Sequence, residues 1–333
     1  MTLEKVIQRL QSEPWAKDET LKQEILGELR ELESSMFEHI FRLCRSNSWQ
    51  QRQQGYRLIG GLAAIEALWF FEDGKAEDLL IEALQDIVEV ARVEAIKSLI
   101  LIEEIEKTGK SIPGLINILK KDKKPDIRFD TALYLAFIRW DPRVTDALIE
   151  ALEDHENTKR ESLLMGTQYG LPVSVAATEA LAKLGDKKGI AAIAPRVLSG
   201  MWTVQHTVEM FKQMGEPAVE HLIRGLEVES WQARERAVAS LGEIGDERAA
   251  EPLTRMLDDE HWKVRGAAVE ALGKLEHQGG AEVIALAVND ESANVRGKAL
   301  EALRNMGEPA TKVLVGLLQH SDSGVRNKEW LTL

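Results

Sequence analysis

The sequence predicts an all-α chain, a solenoid of about nine helix-turn-helix units stacked side by side. Three observations predict it. The first is repetition: Asp259 to Leu275 reads DEHWKVRGAAVEALGKL, and Asp290 to Asn305, 31 residues later, reads DESANVRGKALEALRN. The second is periodicity. Val264, Ala268, Ala271, Leu272 and Leu275 fall at helical spacing on one face. Such a stripe is buried only against neighbouring helices, so a repeated copy predicts a stack. The third is that no stretch shows the period-two alternation of a half-buried strand.

The units follow in order. Residues 1–35 read as an N-terminal helical cap: Leu3, Val6, Ile7 and Leu10 stripe a first helix ending near Pro14, and Leu21, Ile25, Leu29 and Leu32 a second. Residues 36–333 read as the repeat array. The arginine that opens each second helix serves as a ruler, at Arg52, Arg92, Arg128, Arg234, Arg265, Arg296 and Arg326, the last four at steps of 31, 31 and 30 residues. Ser174 and Val204 occupy the ruler position in two units without the arginine. Pro217, Pro252 and Pro309 mark first-helix starts, where a missing N–H costs nothing. Gly185, Gly215, Gly245 and Gly307 mark second-helix ends, where the left-handed conformation is needed.

Composition narrows the function classes. The 333 residues are 44% hydrophobic, 29% charged and only 5% aromatic, which suits thin helix-helix layers filled by Ala and Leu. A formal net charge of −13 opposes general binding to nucleic acid or to an anionic membrane. The single Cys44 permits no internal disulfide, and the N-terminal segment has no signal-peptide pattern, so the expected location is cytoplasmic. No run approaches the roughly 20 apolar residues of a membrane helix.

The pattern D-x5-R followed by A-x-x-A-L-G-x-L-G-D resembles HEAT repeats, in particular the short HEAT-like units of phycobilisome (bilin) lyases and many bacterial proteins. The resemblance covers roughly residues 36–330. It implies a right-handed α-solenoid whose second helices line a concave face. It also implies a ladder between adjacent units, carried here by Asp86 and Arg92, Asp122 and Arg128, Asp259 and Arg265, and Asp290 and Arg296. These residues read as structural.

The repeat breaks in the middle. Gln168 and Leu198 stand six residues before Ser174 and Val204, so aspartate and arginine are expected to be lost together in two consecutive units. The step from Arg128 to Ser174 is 46 residues, and the excess falls in a long turn, 155–172, where an ordinary helix-helix connection has about two to eight residues. Lys159, Arg160 and Tyr169 make that turn a candidate recognition loop. Trp202, Trp231 and Trp262 sit near equivalent turn positions, so a regular stack would line them along one rim at roughly 10 Å intervals. Glu179, Glu209 and Glu270 stand five residues after the ruler, an acidic row on the presumed groove face that selects basic segments.

Enzyme chemistry finds little footing. There is no phosphate-binding loop and no nucleophile elbow. Cys44 lies between Phe41, Leu43 and helix formers and reads as a small hydrophobe. Of the His-Glu neighbours only His155-Glu156 has the order used by the di-iron deoxyhypusine hydroxylases, and the reversed pairs occupy different repeat positions, so no metal centre is expected. A largely acidic groove disagrees with the HEAT-like DNA glycosylases. The sequence therefore points to a non-enzymatic scaffold or adaptor without a cofactor, binding a protein or peptide partner, with no nucleic acid, no membrane and no oligomeric state assigned. The alternative is a bilin lyase or bilin chaperone, in which Arg234, Arg236 and His206 would meet an open-chain tetrapyrrole.

Overall fold

The computed structural model describes residues 38–64, 75–158, 170–200, 202–275 and 280–307, together with 310, 311, 313 and 315. The expected cap at 1–35, the insert residues Lys159, Arg160 and Tyr169, and the Arg326 helix lie outside the described residues. The chain divides into two compact units, Met1–Leu184 and Gly185–Leu333.

The first unit holds α1 (Trp49–Ala64), α2 (Lys75–Ala83), α3 (Glu89–Glu106), α4 (Ile112–Lys121), α5 (Pro125–Leu135), α6 (Pro142–Ala151) and α7 (Val173–Leu184). Odd-numbered helices pack on one another in order, and α4 packs on α6 in the second layer. Proline opens α5 and α6, and the Asp141 carboxylate caps α6 by accepting the Arg143 N–H. The turn after α3 bends at Lys107, the non-glycine residue with positive φ among those described, at 53°. Glu103, fully buried, holds that turn: it accepts the N–H of Gly109 at 2.8 Å and of Ser111 at 3.0 Å, and the Ser111 hydroxyl at 2.7 Å.

The second unit holds α8 (Lys187–Ser199), α9 (Val204–Met214), α10 (Val219–Gly225), α11 (Trp231–Ile244), α12 (Ala250–Arg255), α13 (Trp262–Leu275), α14 (Gly280–Leu286) and α15 (Ala293–Met306). Helices α9, α11, α13 and α15 stack in sequence order, with the even-numbered helices as the outer partner of each hairpin. Val264, Ala268, Ala271 and Leu272 of α13 are buried, and Leu275 is half-buried at the helix end. The close approach of α11 and α13 depends on Gly242, where a Cβ would come within 2.7 Å of the Ala271 Cα. Side chains cap the starts of α8, α9 and α11: Asp186, Thr203 and Ser230 accept first-turn N–H groups. Gly245 closes α11 at φ 72°, its N–H donating to the Leu241 carbonyl. Pro217 lies in a single 3-10 turn leading into α10, and Pro252 is buried in the first turn of α12.

The described residues are helical throughout apart from turns and one isolated antiparallel bridge, Asn157 to Pro172. Among them no helix is long and apolar enough to cross a membrane, and no three His, Cys, Asp or Glu side chains cluster as for a metal ion.

Candidate functional site

The turns at one edge of each unit are tied together by the ruler arginines. Arg92 forks onto Asp122, Arg128 onto Asp154, Arg234 onto Asp259 and Arg265 onto Asp290, with Nε contacts of 2.7–2.9 Å. Arg52 does the same with Asp86 at 2.5 Å. Each arginine therefore bonds the aspartate of the next turn, while its Nη1 donates to the carbonyl six residues before it in its own turn, at Ser46, Asp86, Asp122, Val228 and Asp259. Each aspartate also accepts the N–H two residues on, as Asp259 does from His261 and Asp290 from Ser292. Burial alone would push the Asp290 carboxyl up, and Arg265 with the Ser292 N–H outweighs it, holding Asp290 below its ordinary value. The hydrogen bonds from Asp259 and Asp290 raise Arg234 and Arg265 in turn.

The break in the ladder differs from the sequence expectation. The turn before Ser174 keeps its aspartate, which is Asp154 rather than the residue at 168, because the insertion falls between the aspartate and α7. Only the arginine is missing there, and the Ser174 N–H takes over its bond to the turn carbonyl, reaching Asp154 O at 2.8 Å. In the next turn both partners are absent. Arg236, two residues past the ruler of the following repeat, donates to Leu198 O at 2.7 Å and Trp202 O at 2.8 Å. The insertion leaves through a closed stem: Thr158 N–H meets Leu171 O at 3.0 Å, Val173 N–H meets Glu156 O at 3.2 Å, and Glu156 reaches Arg128 at 2.7 Å.

The three tryptophans do not form one row of equivalent side chains. Trp202 is 5% exposed and stacks on His206, with centroids 4.9 Å apart, so it plugs the seam rather than lining a surface. Trp231 and Trp262 stand at the accessible edge with His261 between them. The His261 ring lies 3.9 Å from Trp231, stacked nearly parallel at 5°, and 6.2 Å from Trp262. The Lys263 Nζ is 4.8 Å from the Trp231 centroid and 5.8 Å from that of Trp262. The turns that carry this stack and the next one hold the exposed Glu227, Glu229, Asp258, Glu260 and Glu291. Glu260 and Glu291, 82% and 84% exposed, also touch the ladder arginines Arg234 and Arg265.

The glutamate row is also less uniform than its spacing implies. Glu179 is half-buried on α7 of the first unit. In the second unit Glu209 is exposed, with Gln213 alongside at 3.5 Å. Glu270 is paired with Lys298 at 2.9 Å. Glu243 on the same face meets Lys274, with Lys212 at 3.6 Å, and the Lys274 bond holds its carboxyl below the usual range. The face that α9 to α15 present is thus charge-paired at Glu243 and Glu270, while Glu209 stands free of lysine. Arg234 and Arg236, assigned to propionates in the lyase reading, spend their guanidiniums on Asp259, Glu260 and four carbonyls.

Residues 219–286 match the family model for HEAT repeats. Residues 219–286 carry HEAT repeats. Solved structures of Kap121p share the fold: the form bound to Nup53p has a TM-score of 0.61 at 13% identity, covering 97% of this chain and 40% of that one. The forms bound to Ste12p and to Pho4p each have a TM-score of 0.60, at 14% and 13% identity, with the same coverage. The chain thus spans about two fifths of the length of these Kap121p chains. No curated protein matches the sequence.

Along this rim, three participants escape a sequence reading based on tryptophan alone. His261 belongs to the Glu260-His261 neighbour pair, which reads first as a reversed metal motif, and its ring fills the space between two indoles instead. Lys263 lies one residue past Trp262, and Glu291 is the second acid of a repeated Asp-Glu pair. The recurrence of Asp259-Glu260 as Asp290-Glu291 is the signal that marks two successive exposed carboxylates along one edge.

Proposed function

We propose that the chain is a non-enzymatic scaffold that binds a protein or peptide partner along the turn rim of its second unit, and that the partner presents a basic segment. The observation that carries this reading is the Trp231–His261–Trp262 stack on turns that also carry the exposed Glu227, Glu229, Asp258, Glu260 and Glu291. Indole faces give area and cation–π attraction, and carboxylates around them attract and orient a cationic chain. Glu209 extends the negative field on the adjoining helix face, with Glu270 contributing where Lys298 yields it. The Kap121p structures of similar fold hold Nup53p, Ste12p and Pho4p, which is the use of this architecture that the proposal adopts.

The test is fluorescence anisotropy of the full chain with labelled basic peptides. Trp231→Ala and Trp262→Ala are each expected to weaken binding by roughly tenfold or more, as for interface anchors. Charge reversal at Glu260 and Glu291 is expected to weaken it further and to flatten its salt dependence. Unchanged affinity in all four variants would remove the rim from consideration.

A further inference from the structure

We infer that Lys263 is an internal occupant of the cation seat on this rim, displaced when a partner's arginine or lysine side chain arrives. The inference rests on the proposed function of the rim and adds how the site is occupied when the partner is absent. Three observations lead to it. The Lys263 Nζ lies within cation–π range of two indoles at once, 4.8 Å from Trp231 and 5.8 Å from Trp262. Among the described residues it makes no ion pair, although the turns of this rim carry five exposed carboxylates, so the aromatic surface is what holds it. Finally, the repeat does not require a lysine there: the residue two before the ruler arginine is Gln50, Val90, Asp126, Gln232, Asn294 or Gly324 in the other units.

The geometry also sets the form of the partner. Neighbouring helices in a stack lie about 8–10 Å apart, and an extended chain rises about 3.3 Å per residue. A segment crossing α11, α13 and α15 at their turns therefore meets one repeat about every three residues. Cationic side chains at that interval reach the seat that Lys263 holds beside the Trp231 and Trp262 rings and the carboxylates of Glu229, Glu260 and Glu291 in succession. A guanidinium stacks flat on an indole and competes well for the place of an ammonium.

The probe is a fluorescein-labelled nine-residue peptide with arginine at every third position, titrated into the full chain. Lys263→Met is expected to tighten binding about two- to fivefold, the equivalent of one exposed cation–π contact no longer broken. Lys263→Arg keeps the charge and holds the seat more firmly, so it is expected to weaken binding. Lys274→Met, a loss of the same charge elsewhere on α13, measures the general electrostatic gain, which the Lys263→Met gain must exceed. In wild-type protein, the ring-current shifts of the Lys263 side-chain protons are expected to collapse on saturation with peptide. Equal affinity in wild type and Lys263→Met, or ring-current shifts that persist at saturation, would overturn the inference while Trp231→Ala still reports whether the rim binds. No binding by any of these proteins would overturn both the inference and the rim function.

Discussion

Replacing Arg265 with alanine is expected to lower the stability of the second unit by about 3 kcal/mol, the lower end of the range for removing one partner of a buried ion pair. The Arg265 and Asp290 side chains are 8% and 9% exposed, so the carboxylate left behind is desolvated without its cation. Two turn carbonyls, those of Asp259 and Glu260, lose their donor in the same step. The Ser292 N–H still serves Asp290, which keeps the cost from rising higher. Chemical denaturation followed by circular dichroism measures the loss. A cost below about 0.5 kcal/mol, the level of an exposed pair, would show that the turns do not depend on this contact. The pH dependence has a definite sign. Asp290 titrates in the folded chain below its ordinary value of 3.8, so its contribution is full above that value and is lost as pH falls through the folded pKa. The gap between wild type and Asp290→Asn should therefore be undiminished at neutral pH and close only in acid below 3.8.

The stack of hairpins was legible because its causes are local and repeat. An apolar stripe at helical spacing, a turn residue and a terminal glycine each leave their mark within one 31-residue copy, and α11, α13 and α15 follow from it. What was not legible depends on neighbours at irregular separations. Counting six residues back from Ser174 leads to position 168, whereas the insertion had already carried the turn aspartate off to Asp154. Arg236 serves the turn of the preceding repeat from a position where no other ruler counts it. Glu270 reads as free acid along its own helix, and its charge is met by Lys298, 28 residues on and out of phase with the repeat. Trp202, Trp231 and Trp262 share a residue type and an approximate register, yet burial separates the first from the other two. A side chain's exposure is decided by the helix that packs over it, and sequence spacing within a single repeat does not contain that helix.

Glu103→Ala is expected to destabilise the first unit by about 3 kcal/mol, since it strips the acceptor from two buried Ser111 donors and the half-buried Gly109 N–H at once. The carboxylate is fully buried and takes the N–H groups of Gly109 and Ser111 and the Ser111 hydroxyl, all within 3.0 Å. These bonds hold the turn in which Lys107 sits at φ 53°, a conformation a side chain adopts only under such constraint. Glu77, 4% exposed, stands on the other side of the Thr108 hydroxyl, which lies 2.8 Å from it and 3.3 Å from Glu103 and has one proton to give. Burial, and then the nearby Glu103, raise the Glu77 carboxyl above its ordinary value of 4.5. A carboxyl raised on folding contributes its stability at low pH and loses it as pH rises through the folded value, opposite in sign to Asp290. Glu77→Gln is therefore expected to leave the protein at least as stable as wild type at neutral pH, with a flatter stability profile above 4.5. The two carboxylates are neighbours with opposed roles, one holding a turn and the other tolerated beside it. Thermal melts of both variants across that pH range separate them, and a Glu103→Ala cost under about 1 kcal/mol would mean that the turn is held by its backbone alone.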